Sequence, residues 1–327
     1  MSTAPEGFYL SGIELESPLM NAAGTISESE QYMLHRIEEL TDTPIGAIKI
    51  GSITIPPQDG HEAVYGSPVY FYDTEKRLTY NAIGLRNIGL TATKSLMPRI
   101  NEIVNDKPLI YSVSPTHSNE GLGGPDAQSV QLIEGLADSG ASIIELNASC
   151  PNIADHDSVS KPVLGYDQDG MMKLIDTLKF EFGDHGEFKL GIKLPPYLSQ
   201  PERRVAPVIA ESLLDSEMID FIVVSNTIGG QRPLDAEGVP ILAVEDGKGG
   251  MSGPATAPVG REQLDMWIGL VNDQIDIVSS LGIYDGRELA RRIGAGAVAG
   301  EVATIIFESQ NLKSKVDQVL GEFVEAA

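Results

Sequence analysis

Cysteine is almost missing from this chain. Cys150 is the single one in 327 residues, which excludes an internal disulfide framework and any all-cysteine iron–sulfur cluster within it. Basic residues are scarce too: 23 lysines and arginines stand against 47 aspartates and glutamates, a formal charge of −24. Nucleic acids and anionic membrane surfaces are gripped through basic patches, so neither is expected as a partner. The longest apolar runs, such as IDFIVVS, fall far short of the ~18 residues a membrane span needs. The opening stretch MSTAPEGFYLSGIELE lacks a basic start and an apolar centre. No secretory signal is therefore expected, and a cytoplasmic location is the default. The five histidines, His35, His61, His117, His156 and His185, show no ligand spacing, and no metal site is expected.

What is present is ordinary for a globular protein, with 42% hydrophobic and 21% charged residues. The acidic excess forms a solvated surface that favours solubility; a sharper reading is adaptation to high salt, where screening relieves self-repulsion. No fixed-period repeat, low-complexity tract or Gly/Ser linker marks a boundary, so residues 1–327 read as a single domain.

Short apolar, β-branched runs recur along it at 18–24, 46–52, 108–114, 142–148, 190–196, 220–226, 275–281 and 297–304. Between them lie segments with apolar residues at helical spacing, such as QSVQLIEGLADSG, MMKLIDTLKFEF and VAPVIAESLLDSE. Near-continuous apolar strands alternating with amphipathic helices specify a parallel sheet covered by helices. Eight such units predict an α/β fold of the (β/α)₈ TIM-barrel type. A doubly wound open sheet is the alternative, but NAAGTISESE after the first strand carries no G-x-G-x-x-G turn. Two insertions break the spacing over the C-terminal face: 54–87, expected as strands and turns, and 229–253, a glycine-laden loop after the sixth strand.

The strands end on polar residues: Asn21 and Gly24, Lys49, Ser112 and Ser114, Asn147, Lys193, Asn226, then Ser279 and Ser280. In a barrel these ends converge on the face that carries chemistry. Each alone is a turn or cap residue; together they suggest a polar pocket for an anionic, amide-bearing ligand. LNASCPN places Cys150 just beyond the fourth strand. A lone cysteine is by default an inert buried hydrophobe.

The segments NAAGT, YNAIGLRNIG, ELNASCPN, GIKLPPY, VVSNTIG and DGKGGMSG, in this order over about residues 17–310, resemble the dihydroorotate dehydrogenase family, in particular its soluble class 1A form. The resemblance implies an FMN-containing barrel that oxidises dihydroorotate to orotate. It implies Cys150 as the base that removes the C5 proton while a hydride passes from C6 to N5 of FMN. Asn81, Asn147, Asn152 and Asn226 match asparagines that grip orotate, with Thr227 where the family has serine. An amide offers both donor and acceptor to a ring of alternating N–H and C=O. Ile83, Gly84 and Leu85 match the segment whose backbone meets the substrate carboxylate. For FMN the matches are Ala22, Ala23 and Gly24 beneath the ring, Asn147, Lys193 as a cation near it, and Gly249 and Gly250. Gly282 and Thr304 fall in the phosphate segments. Class 1A members are homodimers that use fumarate as electron acceptor. The quinone-linked class 2 route is disfavoured by the missing membrane helix, and a class 1B assembly needs a separate flavin and iron–sulfur subunit.

Departures matter as well. The family's strand-two lysine column is filled by Gly51, with Lys49 two residues earlier and expected to reach the pocket from deeper in the barrel. The phosphate segments read Ser279-Ser280-Leu281-Gly282 and Val302-Ala303-Thr304, with fewer glycines than the family uses. These leave open a related flavin oxidoreductase acting on another dihydropyrimidine or enoate, or a non-catalytic barrel used for binding. The lid expected at 152–167 includes His156 and Asp157, read as solvated loop residues.

Overall fold

In the computed structural model the described residues are 7–26, 28–116, 121–150, 163–183 and 186–327. The apolar runs become eight parallel strands, here numbered one to eight: Leu19–Asn21, Ile48–Ile53, Leu109–Val113, Ile143–Asn147, Lys189–Leu194, Phe221–Val224, Asp276–Ser279 and Ala299–Val302. Strands two to eight pair in chain order, strand eight pairs strand one, and a Met20–Ala47 bridge closes strand one onto strand two. The result is the expected (β/α)₈ barrel. Two helices start upstream of their apolar periodicity where a side chain caps the first turn. Ser199 forms a capping box with Glu202 at the head of Gln200–Ser216, and Asp167 caps Gln168–Phe182.

Alternation along each strand sends one set of side chains outward, into the main core with the helices, and the other into the barrel. At the N-terminal end the interior is apolar. Met20, Ala47, Ile110, Ile143, Phe221, Val223, Val278 and Ala299 pack there with Leu10 and Leu15. Those two leucines belong to a hairpin, Phe8–Leu10 with Ile13–Leu15, that the sequence reading did not anticipate.

The two insertions meet over the opposite end. The first supplies Tyr70–Asp73 and Leu78–Asn81, the second Ile228–Gln231 and Gly249–Ser252, joined in one four-stranded antiparallel sheet. The sheet turns what read as a glycine-laden loop into a wall beside the strand ends.

Candidate active site

Strand ends and inserted sheet enclose a cleft of two compartments. The larger, about 730 Å³ with its open mouth, is lined by Ala22, Ala23, Gly24, Lys193, Ser225, Glu301 and the ends of strands seven and eight, among others. The smaller, about 550 Å³, is lined by Ser52, Gly84, Leu85, Arg86, Asn147 and Cys150. Ala23, Gly24, Asn81, Ile83, Asn226 and Thr227 line both, so the compartments communicate. Cys150 is half-buried, on the smaller side.

A chain of hydrogen bonds fixes the amides of the smaller compartment. Asn147 donates from Nδ2 to Ser52 Oγ (2.9 Å), and its Oδ1 accepts from the Ser149 hydroxyl (2.7 Å) and amide (3.1 Å). Asn226 donates to Ser149 Oγ at 2.9 Å, and its Oδ1 accepts from Thr227 N at 2.7 Å. Asn81 donates from Nδ2 to Gly250 O at 3.3 Å, across the inserted sheet. Side chains held this way are pre-oriented, so little rotamer freedom remains to be lost when a ligand arrives.

The loop bearing Ile83, Gly84 and Leu85 is pinned by Asn87. Its Oδ1 accepts from Gly89 N (2.8 Å), and its Nδ2 donates to Leu85 O (2.6 Å). Gly84 has φ +77°, and a Cβ there would lie 2.6 Å from the His61 ring, so only glycine suits this bend. Arg86, the only charged residue lining the smaller compartment among the described residues, is tethered outward by Glu28 and, at 2.8 Å, by Glu62.

Beneath the larger compartment the barrel interior is ionic. Lys49 is fully buried and bonds Glu145 and Glu301, and Lys193 donates to Glu301 Oε2 at 2.9 Å. The remaining Glu145 oxygen accepts from Ser112 Oγ at 3.0 Å, and Ser112 shares a 3.0 Å hydrogen bond with Ser52. The ionic layer and the amide chain are therefore continuous through Ser52. Burial pushes Lys49 below the usual lysine range, against the pull of Glu145. Burial likewise takes Lys193 down to about 8, with Glu145 opposing and Lys49 adding to the fall.

Lys49 thus revises one expectation. It does not reach either compartment wall, because its ammonium is engaged by two carboxylates one layer below. Gly51 cannot stand in for the family lysine either, since a Cβ there would lie 2.2 Å from Ser112 O. Gly249 and Gly250 also line neither compartment. Gly250 is a spacer: a Cβ on it would come within 2.1 Å of Thr227 Oγ1. Asn152, His156 and Asp157 lie outside the described residues.

The larger compartment also gathers Ser252, Thr79, Ser280, Leu281, Gly282, Ile283, Ala303 and Thr304, with Tyr70 and Phe307 (rings 4.9 Å apart). Thr79 bridges Ser252 (2.8 Å) and Thr304 (3.1 Å) through hydroxyls. Behind the loop after strand seven sits Arg292, fully buried, which donates to Ser279 Oγ (2.8 Å), Leu281 O (3.1 Å) and Ala257 O (3.1 Å). The sequence reading missed this brace; its only signal was an arginine on the apolar side of GRELARRIGA. It also missed Ser225, whose buried hydroxyl lines the compartment and has no hydrogen-bond partner among the described residues. An orphaned donor, small residues near the strand-one end, a cation and a cluster of hydroxyls in one compartment suit a flavin mononucleotide.

The dihydroorotate dehydrogenase family profile matches residues 8–324. The chain belongs to the dihydroorotate dehydrogenase family. Members are FMN-dependent oxidoreductases that oxidise dihydroorotate in pyrimidine biosynthesis. Among its relatives is the "dihydroorotate dehydrogenase (fumarate)" of Trypanosoma brucei brucei, 25% identical over 300 residues, 91% of this chain and 86% of the relative. Another is the Lachancea kluyveri enzyme of the same name, 26% identical over 316 residues, 95% of this chain and 90% of the relative. A ligand-free dihydroorotate dehydrogenase structure from Eimeria tenella shares the fold, with a TM-score of 0.74 at 20% identity, covering 98% of this chain and 88% of that one. Among the described residues no helix is long and apolar enough to cross a membrane.

Proposed function

We propose that this chain oxidises dihydroorotate to orotate with Cys150 as the base for the C5 proton. The observation that carries this reading is the smaller compartment itself. Cys150 shares its wall with Asn81, Asn147, Asn226 and Thr227, and that wall continues into the larger compartment. The amides present donors and acceptors to the ring edge, and the Ile83–Leu85 loop offers backbone to a carboxylate. The larger compartment would hold FMN, which when bound would supply the hydride acceptor. Lys193 and Glu301 would border it, with Ala22, Ala23, Gly24 and Ser225 also on the compartment wall; Gly282, Thr304 and the Thr79–Ser252 hydroxyls would take the phosphate. Lys193 would stabilise the negative charge of the reduced ring.

Fumarate is the electron acceptor this reading favours, because the relatives' names carry it. The protein then works as a cytoplasmic homodimer of one-domain subunits, which size-exclusion chromatography with light scattering would check. The test of the substrate is anaerobic mixing of FMN-loaded protein with dihydroorotate. Loss of the flavin band near ~450 nm is expected. A loaded protein that dihydroorotate does not bleach, yet another dihydropyrimidine or an enoate does, assigns it a different substrate.

A further inference from the structure

The larger compartment rests on four buried ionisable side chains arranged in a row. Glu145 holds Lys49, Lys49 holds one oxygen of Glu301, and the other oxygen of Glu301 takes Lys193 at 2.9 Å. All four are 3% exposed or less. Only Lys193 and Glu301 reach the compartment wall; Lys49 and Glu145 secure them from beneath. Barrel interiors are ordinarily filled by branched apolar chains, and replacing a buried ion network with such chains is often neutral or stabilising. Stability alone therefore gives no reason to keep an ionic layer here.

Its charge pattern gives one. Two electrons and one proton added to the neutral flavin ring leave it with a negative charge. A lone lysine at the wall would favour that reduced state. Here the lysine is accompanied by a carboxylate facing the same compartment, and the Lys49 clamp keeps that carboxylate in place. We infer that Glu301 lowers the reduction potential of bound FMN by cancelling part of the Lys193 charge, and that Lys49 limits how far this cancellation goes. The reduced cofactor is thereby made a stronger donor to the electron acceptor. This rests on FMN occupying the larger compartment.

The experiment compares midpoint potentials of FMN-loaded wild type, Glu301→Gln and Lys49→Met, each equilibrated anaerobically with a reference dye under excess FMN. Glu301→Gln keeps shape and removes charge. It should strengthen binding of reduced over oxidised FMN at least ~10-fold, a rise of ~30 mV for a two-electron couple. Lys49→Met leaves Glu301 to act on Lys193 alone and should move the potential down. Opposite signs are the signature, because simple loosening of the barrel has no reason to split the two variants. An unchanged or lowered potential in Glu301→Gln overturns the inference, as do shifts of both variants in one direction. If Glu301→Gln does not fold, the Lys49→Met fall decides alone, and a rise or no change there is fatal. A wild type that takes up no FMN rejects the flavin reading and this inference together. A wild type that binds FMN, with variant potentials unmoved, rejects only the inference.

Discussion

Ala47, Ile110, Ile143 and Ala299 form part of the apolar layer at the bottom of the barrel; Lys49, Ser112, Glu145 and Glu301 follow them two residues later along the chain, each on a barrel strand. One step of strand alternation changes the interior from hydrocarbon to ions, although both layers are out of contact with water. The lower layer needs only shape, and its energy comes from burial and close packing. The upper layer has to keep each charge partnered, because an unpaired ion in such a place is far costlier than a void. That upper layer is the floor of the larger compartment and reaches the amides of the smaller one through Ser52. Stability and chemistry are thus assigned to successive levels of one barrel.

The contrast breaks most visibly where one charge is removed. Lys49→Met leaves Glu145 and Glu301 without their shared cation and should cost about 3–5 kcal/mol in denaturant unfolding. Adding Glu145→Leu should recover part of that loss, which a double-mutant cycle would register as strong coupling. In the lower layer Phe221→Ala should cost a similar ~3–5 kcal/mol, through a cavity, and no second deletion should repair it.

A smaller effect is expected where the levels join. Ser52→Ala removes the hydroxyl between Ser112 and Asn147, a link worth about 1 kcal/mol. It should lower kcat/KM for dihydroorotate about fivefold and the unfolding free energy by only about 1 kcal/mol. Beside Lys49, Lys193 makes a defined contribution to the pH response of the cofactor-free protein. Its folded value of about 8 lies below the ~10.4 of an unfolded lysine, so the unfolded chain binds more protons between them. Unfolding free energy should therefore gain a rising contribution as pH climbs from about 8 towards ~10.4, and Lys193→Met should abolish it. The smallest effect concerns the surface. With a formal charge of −24, the melting temperature should rise from low to molar salt, and a flat curve would remove the high-salt reading.

Much of this was legible in sequence for plain reasons. Each barrel strand is a short apolar run closed by a polar residue, and periodicity reports that directly. Cys150 and its asparagines stood out because ELNASCPN has little else in it to explain them. The ionic layer was hidden for the opposite reason. Glu145 and Glu301 sit inside runs read as strands, SIIELNA and AVAGEVAT, where a single charge looks like a solvent-facing position. Strand alternation counted back from Asn147 would have turned Glu145 inward. Nothing local to Lys49 says that its partners come from strands four and eight, 96 and 252 residues away. The four-stranded sheet was not legible as one unit because its strands are short, two of them carry glycine, and its two strand pairs, one from each insertion, are joined across distant sequence through Leu78–Asn81 and Gly249–Ser252.

The most direct test of the account is single-turnover reduction of FMN-loaded Cys150→Ala by dihydroorotate, followed beside wild type in anaerobic stopped flow. With flavin content unchanged, flavin reduction should slow by about 10²–10⁴-fold, the usual contribution of a positioned general base. Reduction at the wild-type rate would contradict the account, because the smaller compartment would then have lost its base without consequence.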